Sequence, residues 1–456
     1  MLTAFQVLEQ GVAAIIGPQS SAIAHSISQI ADAVHVPLIS YAATDPTLSS
    51  LQFPLFFRTI QSDSEQMAAM ANLIDFNGWK EVIVIFLDDD YGRNGISALS
   101  DELENRRLKL AHKLALSIHY DQDEITKLLN QSRVYSPRVF VVHVNPDPRL
   151  RIFSIARKLQ MMTSDYVWLT TDWLSATLHS FSPENQNSLS VVEGVVALRQ
   201  HIPDSRKKRN FISRWKKMHA NTSLNSYGFF AYDTVWTVAH SLDKFLEVYN
   251  NITFSLHENN MVPHTEGIGI QLENLKVFTG GLDLVNILLQ SNFRGLSGQI
   301  RFSSDRNIIS SGYDVININQ MKINRVGYWS NHSGFSVVPP EVLAKKEHRR
   351  VSVDQKLGNI TWPGGKTERP RGWVIADNAK PLRIGVPKRA SFVEFVTEVQ
   401  ESHKMQGYCI DIFMKALEFI PYEIPFVFNP VGNGKANPNY DALVKKLDEN
   451  VSEDLP

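Results

Sequence analysis

Apolar residues along this chain follow two alternating rhythms. Short runs rich in β-branched and aromatic residues, stopped by Gly, Pro, Asp or Ser, alternate with longer stretches in which apolar positions recur at helical spacing. Leu2 to Gln10 has helical spacing and feeds into Val12–Ile16, which reads as a strand buried on both faces and ended by Gly17-Pro18. Ser20 and Ser21 then suit the cap of a helix carrying Ile23, Ile27, Ile30, Ala31 and Val34, and Val36-Pro37-Leu38-Ile39 forms the next strand. Its exit loop is Ser40-Tyr41-Ala42-Ala43-Thr44. In a parallel strand–helix–strand unit both strand exits lie on one sheet edge, the edge where open α/β folds bind ligands.

The alternation continues with a short strand Phe56–Ile60, a helix Glu65–Phe76 capped by Ser62 or Asp63 and ended by Gly78, and a buried strand Glu81–Leu87. That strand delivers the loop Asp88-Asp89-Asp90-Tyr91-Gly92-Arg93-Asn94-Gly95 to the same edge. From Asp101 the pattern predicts a second lobe: helix Ile96–Arg107, strand Leu110–Leu116, helix Glu124–Arg133, strand Val139–Val144 and helix Arg149–Leu159. A strand through Tyr166–Thr170 follows, with Asp172 just past its end. Strand Val191–Leu198, amphipathic helix Asp204–His219 and a long core helix Tyr227–Leu246 return the chain to the first lobe. Helix Lys276–Gln290, a strand pair over Phe293–Phe302 and Tyr313–Ile316, and strand Arg325–Trp329 complete the region, and repeated crossing between lobes implies a hinge.

After Pro339-Pro340 no period is sustained. Residues 1–340 therefore read as one bilobed region and 341–381, rich in charge, Gly and Pro, as a linker. Residues 382–456 read as part of a further domain, with strand Leu382–Val386, an apolar segment Phe392–Thr397, a helix through Phe419, strand Tyr422–Phe428 and helix Tyr440–Leu447. Cys409 falls in the apolar stripe of the first of those helices and reads as a core residue.

Composition narrows the chemistry. With 456 residues, 43% hydrophobic and 20% charged, the chain can build two or three globular domains. A net charge of −1 argues against nucleic acid as a partner, and the run Arg206-Lys207-Lys208-Arg209 reads as a solvated face. One cysteine permits neither an intrachain disulfide nor a Cys-based metal site. The first residues lack the pattern of a signal peptide, and no apolar window is long enough to span a bilayer. There is no GxGxxG; Gly432-Asn433-Gly434-Lys435 lacks the spacing of a phosphate loop, and Gly295-Leu296-Ser297-Gly298 misses the nucleophile-elbow pattern. The expectation is a binding protein without catalytic residues, metal or cofactor.

The candidate site follows from the strand exits. Ser20, Ser21 and Thr44, with exposed helix-end N–H groups, form a neutral nest suited to a carboxylate. Asp172, delivered by the other lobe, suits an ammonium, and Tyr91 is placed to contact the same ligand. Donors facing an acceptor across a cleft are what an α-amino acid requires. The alternatives are structural: Ser20 and Asp172 each suit helix capping, and Asp88-Asp89-Asp90 suits a turn and helix cap rather than a calcium loop. Sequons stand at Asn221, Asn251, Asn331 and Asn359.

The stretches GPQSS, HVPLIS and AATDPTLSSLQFP closely resemble the amino-terminal domain of plant glutamate receptor-like channels, within the ionotropic glutamate receptor family. WPGG, PRGW and KPLRIGVP resemble that family's junction to its glutamate-binding domain. The resemblance implies a bilobed, type I periplasmic-binding-protein-like fold with doubly wound parallel sheets, shared with bacterial leucine/isoleucine/valine-binding proteins and metabotropic glutamate receptors, followed by a truncated type II binding domain. Relative to the family the first strands are missing, which leaves an apolar strand edge exposed. The implied function is the extracellular, plasma-membrane part of a ligand-gated, non-selective cation channel that senses amino acids and assembles with other subunits as a tetramer, attached to the membrane through pore segments not found in this chain. By resemblance to the metabotropic receptors the carboxylate would rest on Ser21 and Thr44, while Ala42 stands where those receptors use a hydroxyl. The alternatives are a free-standing amino-acid-binding protein and an inactive truncated product serving only subunit assembly.

Overall fold

A computed structural model describes residues 2–180, 189–219, 224–256, 275–309, 312–345, 355–372, 381–388, 390–398, 405–419 and 425–432, with positions 436, 437, 439, 441 and 444. The chain divides into two compact units, Met1–Lys127 with Arg138–Gly372, and Leu128–Pro137 with Trp373–Pro456.

Among the described residues the first unit is built on a three-stranded and an eight-stranded sheet, with two further strand pairs. Helix α1 (Leu2–Glu9) precedes a three-stranded parallel sheet of β1 (Ile15–Ile16), β2 (Leu38–Ser40) and β3 (Phe56–Arg58), with α2 (Ser21–Ala33) crossing from β1 to β2. The parallel unit expected from the sequence is present, but β1 is only two residues long and is not buried on both faces. As the edge strand of its sheet it leaves Ile16 42% exposed.

The chain then enters the second sheet earlier than the pattern indicated. Helix α3 (Asp63–Phe76) and strand β4 (Glu81–Leu87) already belong to it, so the second lobe starts at Asp63 rather than after Asp101. The reason lies in packing: Met67, Met70, Leu73 and Ile74 of α3 are buried in one core with Val82 and Val84 of β4. Ser62 caps α3 through its hydroxyl, and Gly78 ends that turn with φ +71. Helix α4 (Asp90–Glu104) also begins earlier than expected, so Tyr91 to Gly95 is helix rather than loop. Its glycines serve close packing: a Cβ at Gly92 would lie 1.9 Å from the Leu87 carbonyl oxygen, and one at Gly95 would lie 2.5 Å from His143 Nε2.

Strand β5 (Lys109–Leu116), helix α5 (Gln122–Ser132), strand β6 (Val139–His143), helix α6 (Arg151–Lys158), strand β7 (Val167–Thr170), helix α7 (Trp173–His179) and strand β8 (Val196–Gln200) follow. The strand expected from Val191 starts only at Val196. Helix α8 (Arg206–Met218) buries none of its residues, in keeping with a solvated basic face. Helix α9 (Ser226–Tyr249) returns to the first sheet. Next come β9 (Phe254–Leu256), β10 (Lys276–Phe278), helix α10 (Gly281–Leu289), β11 (Phe293–Arg294) and β12 (Gln299–Ile300). The helix expected over Lys276–Gln290 is thus a strand followed by a helix. β10 pairs with β9 and Phe278 enters the first lobe's core beside Phe245 and Leu284.

Strands β13 (Tyr313–Asn319), β14 (Lys322–Ser330) and β15 (Gly334–Ser336) complete an eight-stranded sheet of order β15-β14-β13-β8-β7-β6-β4-β5. β8 to β5 are mutually parallel and β13 to β15 add on antiparallel. The lobes are joined three times, after β3, after β8 and after β12. At this waist Thr59 and Thr234 hydroxyls lie 2.6 Å apart, and buried Arg58 donates to Asn307 Oδ1 at 2.7 Å.

Helix α11 (Pro340–Ala344) follows. Residues 355–372, within the stretch expected to be linker, lie on the second lobe. Trp362 is 2% exposed and packs edge-on against Trp79 at 5.5 Å. Asn317 exchanges two hydrogen bonds of 2.9 Å with the Thr361 backbone, and Trp79 Nε1 donates to the Pro370 carbonyl at 2.8 Å. Gly194, at φ +85, is required there, because a Cβ would lie 2.2 Å from Pro363 N.

In the second unit, β16 (Leu382–Pro387) pairs with the last strand, β19 (Phe426–Val431), in parallel, and β17 (Thr397–Glu398) pairs with β18 (Met405–Gln406). Helix α12 (Tyr408–Glu418) turns Ile410 toward Val386 and Val396. Cys409, one position off that contact line, is exposed rather than core. The helix expected over Tyr440–Leu447 lies outside the described residues except for Asp441 and Val444, and the sequon Asn221 lies outside them too; Asn251, Asn331 and Asn359 are exposed. Among the described residues no helix is long and apolar enough to cross a membrane.

Candidate functional site

Each strand exit named above opens onto one cleft. Ser20, Ser21, Thr44, Tyr91 and Asp172 all line a cavity of about 430 Å³, together with Gln19, Ile23, Ala42, Asp89, Asn145, Pro146 and Tyr227. The first lobe supplies the start of α2 and the loop after β2; the second supplies the start of α4, the loop after β6 and the start of α7.

On the first wall, Ser20 occupies the N-cap position of α2 but makes no capping hydrogen bond. Its hydroxyl and the unpaired first-turn amides of a helix end are the groups that hold an anion. Ser21 is buried, and its oxygen accepts from the Asp45 N–H at 3.3 Å, which leaves its proton free to donate. Thr44 is buried and hydrogen-bonded to Asp63 Oδ2 at 2.7 Å. The Ala42 and Ala43 amides are not open to a ligand, since both donate to Ser40 Oγ, at 3.2 and 2.9 Å.

On the opposite wall, Asp172 stands at the N-cap of α7 without a capping bond. Instead its Oδ1 accepts from Gln66 Nε2 at 3.3 Å, and its N–H donates to Gln66 Oε1 at 2.8 Å. Burial, opposed by the Gln66 hydrogen bond, raises its carboxyl to about 6. Asp89 does cap its helix, accepting from the Gly92 N–H at 2.9 Å, while Asp88 pairs with Arg93 at 2.8 Å, so that acidic run is a turn and cap. Among the described residues no cluster could hold a metal ion.

Two buried residues that back the lining, Asp63 behind Thr44 and His143 behind Tyr91, carry no local signature of that role in the sequence. Asp63, read as a possible helix cap, is fully buried; burial and the nearby Asp172 charge, against the Thr44 hydrogen bond and Arg58, raise its carboxyl to about 8. Protonated at neutral pH, Asp63 can donate to Thr44 and free the threonine proton for the cleft. His143 packs against Tyr91, ring centroids 4.1 Å apart, with Nδ1 3.2 Å from the Tyr91 hydroxyl and 3.0 Å from Thr171 Oγ1. Burial lowers it to about 3, so it is a neutral support. Tyr227, which lines the cavity and was not singled out from the sequence, comes from the first turn of α9, where only helical periodicity was visible.

Residues 1–321 match the family described as receptor family ligand binding region. Similar curated proteins include Glutamate receptor 3.7 of Arabidopsis thaliana, 51% identical over 449 residues covering 98% of this chain and 48% of that protein. Glutamate receptor 3.4 of the same plant is 47% identical, covering 97% of this chain and 46% of its own length. Glutamate receptor 3.1 of Oryza sativa subsp. japonica is 42% identical, covering 98% and 48%. The chain thus spans about half the length of the curated relatives it matches. Among solved structures, an ABC transporter substrate-binding protein from Desulfitobacterium hafniense in complex with Leu superposes with a TM-score of 0.51 at 15% identity, over 71% of this chain and 85% of that one. That likeness shows a shared fold.

Proposed function

Since the chain belongs to the receptor ligand-binding-region family, we propose that it is the extracellular ligand-binding part of a plant glutamate receptor-like, ligand-gated cation channel, and that its cleft senses amino acids by lobe closure. The observation that carries this reading is the meeting of five residues from four separate stretches of the sequence, Ser20 and Ser21, Thr44, Tyr91 and Asp172, around one small cleft. The ligand carboxylate rests on the Ser20 and Ser21 hydroxyls, the first-turn amides of α2 and Thr44. Its ammonium meets Asp172, and Tyr91, braced by His143, packs over it. A ligand that touches both walls binds the closed arrangement better than an open one and shifts the balance toward it. Tetrameric assembly with other subunits and a plasma-membrane location belong to the same proposal, as what the resemblance to plant glutamate receptor-like channels implies. The relatives are receptors, so the reading is of a binding protein rather than an enzyme.

Calorimetry with a panel of L-amino acids tests it. Binding heat that disappears in an Asp172→Ala variant is the expected result. Absence of heat for every amino acid, or binding indifferent to Asp172, overturns the reading and leaves subunit assembly as the better one.

A further inference from the structure

Resting on that reading of the cleft, we infer that it selects amino acids whose side chain carries a positive charge and turns away those with a second carboxylate, with Asp89 as the selecting residue. The charged groups among the described lining residues are Asp89 and Asp172, both acidic. Asp172 faces the ligand ammonium in the proposed pose, so Asp89 is the charge left for the side chain. It sits on the second lobe with Tyr91 and Asn145, at the start of α4. Its Oδ1 is engaged by the Gly92 N–H, and Oδ2 has no hydrogen bond within the described residues.

The cations near this end are otherwise committed. Arg93 is exposed and paired with Asp88 at 2.8 Å. Arg58 is fully buried and donates to the Asp45 carbonyl at 2.8 Å and to Asn307, away from the cleft lining. His143 is buried and neutral. The side-chain carboxylate of an acidic ligand therefore finds no positive partner and meets a like charge in a partly desolvated space, which is strongly unfavourable. An ammonium or guanidinium at the same point gains a charge-assisted hydrogen bond. The volume of about 430 Å³ falls within the range of small-molecule sites and leaves room for a long side chain.

The test is titration calorimetry of the whole chain with L-lysine, L-arginine, L-alanine and L-glutamate. Lysine and arginine are expected to bind about tenfold or more tighter than glutamate, with the gap narrowing as salt rises. Asp89→Asn keeps a side chain able to cap α4. It is expected to weaken lysine and strengthen glutamate, a movement in opposite directions that a loss of structure would not produce. If glutamate binds as tightly as lysine while other amino acids bind, the selectivity inference falls and the cleft reading stands. If Asp89→Asn moves both ligands the same way, the role of Asp89 is refuted, and if none of the four binds, inference and cleft reading fail together.

Discussion

Replacing Asp172 by Asn should make the protein more stable at neutral pH while abolishing amino-acid binding. The carboxyl is raised from 3.8 to about 6, chiefly by burial. A native pKa above the unfolded one means that the folded chain holds its proton longer. This carboxyl's contribution to stability is then fully present below pH 3.8 and is lost as pH rises through about 6. A displacement of that size corresponds to about 3 kcal/mol, at about 1.36 kcal/mol per pKa unit. Asn cannot ionise, so the variant escapes this loss, and relief of the Coulomb repulsion on Asp63 acts in the same direction. Urea denaturation followed by tryptophan fluorescence from pH 3.5 to 7.5 reads the difference between the two proteins. The variant should gain about 3 kcal/mol over wild type across that window, on top of a pH-independent offset from altered hydrogen bonding to Gln66. Added amino acid should stabilise wild type increasingly as pH rises through about 6, and should not stabilise the variant. A stability difference that stays flat with pH, or ligand protection that survives in Asp172→Asn, would refute the argument.

Ala42→Ser places a hydroxyl on the cleft wall; one further hydrogen bond to a charged ligand group is worth about 1.5 kcal/mol, so calorimetry should show roughly tenfold tighter amino-acid binding. Gly95→Ala puts a methyl group 2.5 Å from His143 Nε2. The imidazole must then leave Tyr91, and a loss of about 1–3 kcal/mol in stability, together with weaker binding, is expected in the same assays. Trp362→Ala empties a fully enclosed site against Trp79 and should cost about 3–5 kcal/mol, read as an earlier urea midpoint; an unchanged midpoint would show that the 355–372 segment is not part of the core.

The elements that aim the cleft residues were legible because local rules decide them. A β-branched run stopped by Gly17-Pro18, a hydroxyl pair before a helix and a second run ending at Ser40 define a parallel unit whose exits share an edge. Ser20, Ser21, Thr44, Tyr91 and Asp172 are each placed by such an exit, and so they converge. What stayed hidden depends on contacts far apart in sequence. Asp63 looked like a helix cap, and its place beneath Thr44 exists only once the two lobes meet. His143 has no local signature; it is held by Tyr91 and Thr171, which come from different elements. Gly92 and Gly95 were read as loop formers, because close backbone approach and a turn call for the same residue. Lys276–Phe278 follows a helical pattern and is a strand because β9 offers it a partner. Cys409 shows the limit of a stripe argument: one step around a helix separates the core from water.

The way Trp362, Thr361 and Pro370 are fastened has a mechanical meaning. They tie the end of the first unit to the sheet that bears Asp172, not to the one that bears Ser21. The chain therefore leaves the first unit at Gly372 from the half of the clamp that carries the acid, as a rope leaves from the post to which it is made fast.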